Sequence, residues 1–327
     1  MKKHIHEQTT GQSLDSLDER DQCQLVKNNL DNLALISNPS EKVQIEAVRT
    51  HRRALKVLLE RGITPSLKVM EWAFRRGSIP QTMALLLSYD VSIPDTLQTD
   101  IVNQEPSYLE YFPLASRDTV MAAISRDPYM IRHVHDSDED MQLAAVKQDG
   151  DCLEYIVGHG IEPSKRVKMA AINSTGRAIR WLKNPSYDEK KAAVMRSWFA
   201  LECIPDADES LEIIAVERNY RAIKYIAHPS ERVQKIAIKH NAFDTVYKLL
   251  ESNKHLYDSA ASLAVNLDHD LLRALVIDEK LIPSMNIIEA TLDLPKGDHL
   301  VYDILNDRRL RSDVTRALLE FALSHHQ

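Results

Sequence analysis

The stretch Ala222-Ile-Lys-Tyr-Ile-Ala-His-Pro-Ser-Glu-Arg-Val-Gln-Lys-Ile-Ala-Ile238 holds the unit from which this chain is built. Pro229 keeps its predecessor extended, and the Ser230 hydroxyl can accept a hydrogen bond from an unpaired amide of a first helical turn, so a helix start is sharply placed. Val233, Ala237 and Ile238 then recur at helical spacing. A polar break at His240-Asn241 follows, and Phe243, Val246, Tyr247, Leu249 and Leu250 form a second apolar series. Two short helices with a polar break between them make a helical hairpin.

The same seam recurs at Asn38-Pro39-Ser40, Thr64-Pro65-Ser66, Glu162-Pro163-Ser164, Asn184-Pro185-Ser186 and Ile282-Pro283-Ser284. Aligning on the opening Ser or Asp adds Asp95, Ser116, Asp138, Asp208, Asp258 and Ser312. Seven and eight places after the opener most copies carry Ala plus an aliphatic or aromatic residue, as in Ala47-Val48, Ala73-Phe74, Ala145-Val146 and Ala193-Val194. The unit after Asp95 fits less well, with Ile101-Val102 where Ala-Val would be expected. Openers lie about 22 residues apart in the regular stretches and about 26 to 29 where a loop is expected to have grown, at the short end of solenoid periods.

This predicts an all-α chain, a single right-handed α-solenoid of about twelve short helix-turn-helix repeats over residues 23–327, with 1–22 as a flexible arm or N-terminal cap. A first helix of about 11 residues and a second of about 9 are too short to persist alone in water, so stacking must stabilise them. Ser186 with Glu189 fits a capping box.

Hydrophobic content of 44% with eight glycines suits such a fold, and no apolar run is long enough to span a bilayer. The first ten residues lack the apolar core of a secretory signal, which points to the cytoplasm. Cys23, Cys152 and Cys203 show no metal or redox spacing and are expected as reduced thiols, the latter two in the core.

Residues Ser137-Asp-Glu-Asp-Met-Gln-Leu-Ala-Ala-Val-Lys-Gln-Asp-Gly-Asp-Cys-Leu-Glu-Tyr-Ile156 resemble the short repeats of the domain-of-unknown-function 4116 family. The likeness is good from about 130 to 250, looser outside, and weakest over 81–113. It implies an array of helical hairpins of bacterial or bacteriophage origin and carries no catalytic motif over. A fold analogy to HEAT-like and ankyrin-like solenoids adds an expectation of binding to protein or nucleic acid.

Chemistry is sparse. His133-Val-His135 with Asp136, Asp138, Glu139 and Asp140 has metal-ligand residue types, yet reads as a polar loop whose acids cap a helix, and it lacks the glycine of a calcium loop. No phosphate loop, nucleophile elbow or His-Glu-x-x-His is present, so neither a cofactor nor catalysis is expected. Trp181 stands where Tyr155 and Tyr225 stand in other units and reads as packing.

The net charge of -7 hides a striped pattern. Arg49, Arg52, Arg53, Lys56, Arg61, Lys68, Arg75 and Arg76 form a basic block, residues from about 90 to 162 are acidic, and Lys165, Arg166, Lys168, Arg177, Arg180, Lys183, Lys190, Lys191 and Arg196 form a second basic block. Such stripes suit a partner of complementary charge. The expectation is a non-enzymatic protein-binding module, in one version a phage-encoded inhibitor that occludes a host or defence factor. Candidate contacts are Arg52, Arg53, Arg75, Arg76, Lys190 and Lys191, with Asp138, Glu139 and Asp140 as an acidic patch. Nucleic acid is the alternative partner, disfavoured because acidic units separate the basic blocks. Exposed ends of a stack also allow homo-oligomers.

Overall fold

The computed structural model describes residues 13–279, 284–295 and 297–306. The chain is all-α, with no strand among the described residues, and divides into two compact units between His133 and Val134.

The first unit contains α1 (Glu19–Asn28), α2 (Glu41–Thr50), α3 (Ala54–Glu60), α4 (Leu67–Arg76), α5 (Ile79–Ser88), α6 (Asp95–Gln104) and α7 (Arg117–Arg126). Here α1, α2 and α4 pack in series, and α6 packs on α7. In the second unit α8 (Glu139–Gln148), α10 (Lys165–Ser174), α11 (Tyr187–Arg196), α12 (Glu209–Arg218), α13 (Glu231–His240), α15 (Asp258–Leu267) and α17 (Met285–Leu292) pack one on the next, with α9 (Leu153–Gly158) and α14 (Ala242–Glu251) in a second row. The unit also holds α16 (Leu271–Arg273), which runs into a π-helical turn at Ala274–Asp278, and α18 (Gly297–Leu305).

The predicted openers stand at these helix starts. Ser40, Ser116, Asp138, Ser164, Ser186, Asp208 and Ser230 cap their helices through the side chain, and Ser186 with Glu189 forms the expected capping box. Ser66 and Ser284 occupy the cap without that bond. Asp95 and Asp258 are the first helical residues, one place past their caps Pro94 and Tyr257. Ser312 lies outside the described residues. One further unit precedes those read from the seams: Asp18 caps α1, so the boundary drawn at 22/23 falls inside a helix. Leu14 is buried and its amide donates to Leu35 O, which ties residues just before α1 to the stack.

The second element differs from expectation. Where openers are about 22 residues apart, it is a six-residue 3-10 helix, as at Leu30–Leu35, Pro128–His133, Gly176–Trp181, Trp198–Cys203 and Tyr220–Tyr225. A 3-10 helix rises about 2.0 Å per residue against about 1.5 Å in an α-helix, so few residues still cross the layer. Where the unit is longer, the extra residues do not swell a loop; they let the second element become α3, α5, α9 or α14. Each of those four helices then ends on a left-handed residue, Gly62, Asp90, Gly160 or Asn253. The same pair of bonds closes each end, for example Gly62 N to Leu59 O at 2.9 Å and Ile63 N to Leu58 O at 3.0 Å, which is the Schellman pattern. Asp90 adopts φ 54°, a conformation that glycine reaches without the Cβ penalty. Asp90→Gly should therefore raise stability, by up to about 1 kcal/mol once glycine's extra chain entropy is set against the Cβ cost of about 1–2 kcal/mol, read as a higher urea midpoint.

One polar hinge residue serves both elements, ending the first helix and opening the second. Asn29, Asp127, Asp149 and Asn219 each accept a bond from the amide two residues on, at 2.9 to 3.0 Å. The recurring Ala is fully buried in Ala47, Ala145, Ala171, Ala193, Ala215 and Ala237, where helices approach closely.

A clamp that sequence reading missed links successive units. Ser40 Oγ donates to Glu19 Oε1 at 2.6 Å and Lys42 Nζ to its other oxygen at 2.8 Å. Ser66 does the same to Glu41, and Ser164 with Arg166 to Glu139. Lys42 and Ser40 hold the Glu19 carboxyl below its usual range. These groups are exposed, so each clamp adds little energy and mainly fixes register.

A cationic cleft as candidate functional site

Arg52 and Arg53 lie on the short turn between α2 and α3, exposed because Ala54, Leu55 and Leu58 turn the inner face of α3 into the core. Arg76 ends α4, Gly77 caps it, and Ser78 opens α5. Packing of α2 on α4 brings the two turns together around a cleft of about 590 Å³. Arg52, Arg53 and Lys56 stand on one wall, and Arg76, Gln81 and Thr82 on the other. Val48, Leu55, Ala73 and Leu85 add apolar lining, and no Asp or Glu lines the cleft. The hinge that elsewhere holds Asp127 or Asp149 is His51 and Gly77 in these two units, which is why no hinge carboxylate stands beside the arginines.

Partners separate these cations from their neighbours. Arg49 pairs with Glu46 at 3.0 Å, Lys56 with Glu60 at 3.6 Å and Lys68 with Glu41 at 3.8 Å. Arg61 donates to the carbonyls of Leu33 and Ile36, both at 2.6 Å, and Arg75 lies over the Trp72 ring at 5.5 Å. Arg52, Arg53 and Arg76 make no ion pair or side-chain hydrogen bond among the described residues. Three of the four arginines singled out from the first block therefore converge on the cleft. Arg75 does not line it, while Lys56, Gln81 and Thr82 join it. The Arg52-Arg53 and Arg76-Gly77-Ser78 hinges, each without the usual acid or amide, were the available signal.

All but one of the other candidates have partners within the fold, the exception being Lys191. Asp138 caps α8, accepting from Met141 N at 2.8 Å, Glu139 is the clamp for Ser164 and Arg166, and Asp140 has an interaction of its own. Lys190 donates to Asp206 at 2.6 Å, a bond that holds the Asp206 carboxyl below its usual range, and Lys191 is exposed. The second basic block is largely answered from within: Arg166 pairs with Glu139, Lys168 with Glu162, Arg177 with Glu202 and Arg180 with Asp151. Arg196 donates to Asn173 O at 2.6 Å.

Trp181 packs half-buried, its Nε1 donating to Asp151 at 3.3 Å with Arg180 over the ring. Cys152 is buried and Cys203 partly so against the core. His135 lies against His159 with ring centres 4.5 Å apart, and no three metal-ligating side chains converge among the described residues. No described helix is long and apolar enough to cross a membrane.

Residues 116–156 match the family model described as Domain of unknown function (DUF4116), in agreement with the resemblance read from Ser137–Ile156. No curated protein and no solved structure matches the chain.

Proposed function

We propose that the chain is a non-enzymatic binding module that captures another protein by an acidic segment seated in the cleft between the α2–α3 and α4–α5 hairpins. The observation that carries this reading is the convergence of Arg52, Arg53 and Arg76, without ion pairs, on a cleft that no carboxylate lines. Like charges held close together repel one another, so the arrangement works against folding and favours a complementary anion. Occlusion of the bound segment is enough for such a module to inhibit its partner.

Nucleic acid fits less well. A phosphate backbone needs cations along a continuous face, whereas Arg166, Lys168, Arg177, Arg180 and Lys190 already have carboxylate partners within their own unit.

The test is capture from nuclease-treated lysate of the natural host at moderate salt, comparing the immobilised chain with its R52E/R53E variant. One protein held near stoichiometry by the former and lost from the latter, with melting not lowered, supports the reading. Retained material that disappears with nuclease contradicts it.

A further inference from the structure

We infer that the group anchored in this cleft is a phosphoryl group, carried by a phosphoserine or phosphothreonine within the partner's acidic segment. The inference rests on the reading above and goes beyond it in naming the group that is recognised. Four cations, Arg52, Arg53, Lys56 and Arg76, line one cleft, and all but Lys56, which pairs with Glu60, are without an ion pair among the described residues. A side-chain carboxylate brings one charge and two acceptor oxygens, which leaves most of them unanswered. A phosphomonoester brings a charge of about −1.5 to −2 and three acceptor oxygens, and guanidinium groups engage it bidentately.

Thr82 supplies the second observation. The residue is 6% exposed, yet its hydroxyl makes no hydrogen bond among the described residues. A helical threonine can return its hydroxyl to the carbonyl four residues back, as Thr50, Thr99 and Thr291 do in this chain. Thr82 instead opens on the cleft beside Gly77, where a Cβ would stand 2.7 Å from Thr82 Oγ1 and 3.0 Å from Ala73 O. The absent side chain at Gly77 thus leaves a donor uncovered.

The start of α5 adds to this. Ser78 gives the helix no side-chain cap, and Pro80 sits in its first turn. The remaining first-turn amides, at the positive end of a ten-residue helix, belong to the wall lined by Gly77, Ser78 and Gln81. At about 590 Å³ the cleft also lies in the size range of ligand sites, about 300–1,000 Å³, so the residue bearing the phosphate fits with it.

The experiment titrates the full chain into fluorescein-labelled acidic peptides. One carries a single central phosphoserine, and its control carries two glutamates there to match the charge. Binding of the phosphopeptide at least tenfold tighter than the control is the expected result. Thr82→Val nearly keeps the shape and removes no internal bond, so it should erase several-fold of the preference for the phosphopeptide over its control without lowering the melting temperature. Equal affinity for both peptides overturns the phosphoryl assignment and leaves the acidic-segment reading standing. Binding of neither peptide overturns both. Adenosine monophosphate binding as tightly as the phosphopeptide overturns the peptide as the source of the phosphate.

Discussion

A single methyl group added at Gly150 should destabilise the second unit by about 3 kcal/mol, the upper end of what overpacking usually costs. A Cβ there would stand 2.3 Å from Ala171 O and 3.1 Å from both Ala171 C and Thr175 Cβ. Gly150 begins the 3-10 turn after the Asp149 hinge and abuts the last turn of α10, so the atom in the way is backbone of the next repeat. Relief requires the two repeats to separate, and in a stack each repeat leans on its neighbours. Gly176→Ala meets Ala193 O at 2.6 Å and should act in the same direction with a smaller effect. Gly158 has nothing within 4 Å of a built Cβ, so Gly158→Ala should be neutral or stabilise by about 0.4–1 kcal/mol. Urea unfolding followed by circular dichroism separates the three. A Gly150→Ala midpoint equal to wild type would contradict the close approach of successive repeats.

Reversing two charges in the cleft should weaken partner capture at least a hundredfold, or about 2.8 kcal/mol at 1.4 kcal/mol per tenfold. Arg52→Glu with Arg53→Glu turns two unpaired cations of one wall into anions facing an acidic segment, so attraction is lost and repulsion added. Both side chains are exposed and make no internal bond, and reversing them relieves repulsion among the cations, so the melting temperature should not fall. Lys191→Glu, outside the cleft, should leave capture unchanged. Lys190→Glu replaces the pair of half-buried Lys190 with Asp206 by two facing carboxylates, a local cost to stability that should leave capture at the cleft unchanged. Isothermal titration with the captured partner reads all three. Loss of binding in the Lys191 or Lys190 variant, with the arginine variant intact, would move the interface to the second unit.

Repeat architecture was legible because its signals are local. A Ser or Asp at a helix start and an Ala seven places on follow from capping and close packing, and both recur in sequence as they do in space. Helix type in the second row was not, because a 3-10 turn and a short α-helix share apolar residues. The deciding quantity is the length of the unit, with Gly62 and Gly160 marking two of the ends where an α-helix closes. The clamp of Glu19, Ser40 and Lys42 joins residues more than twenty apart and has no local signature beyond the acid after each opener. For the cleft, charge listing found Arg52, Arg53 and Arg76 but placed Lys190 and Glu139 beside them, since a sequence does not reveal which cations already have partners. Thr82 carries no sequence signal at all, because its open hydroxyl depends on Gly77 and on the turn between α4 and α5.

Hydrogen exchange of the full chain with and without a saturating acidic peptide tests the central claim most directly. The account predicts slowed exchange confined to the α2–α3 turn and to the start of α5, around Arg52, Arg53, Gln81 and Thr82, and no change in the R52E/R53E variant. Protection centred on Lys190 and Lys191, or persisting when the two arginines are reversed, would contradict it.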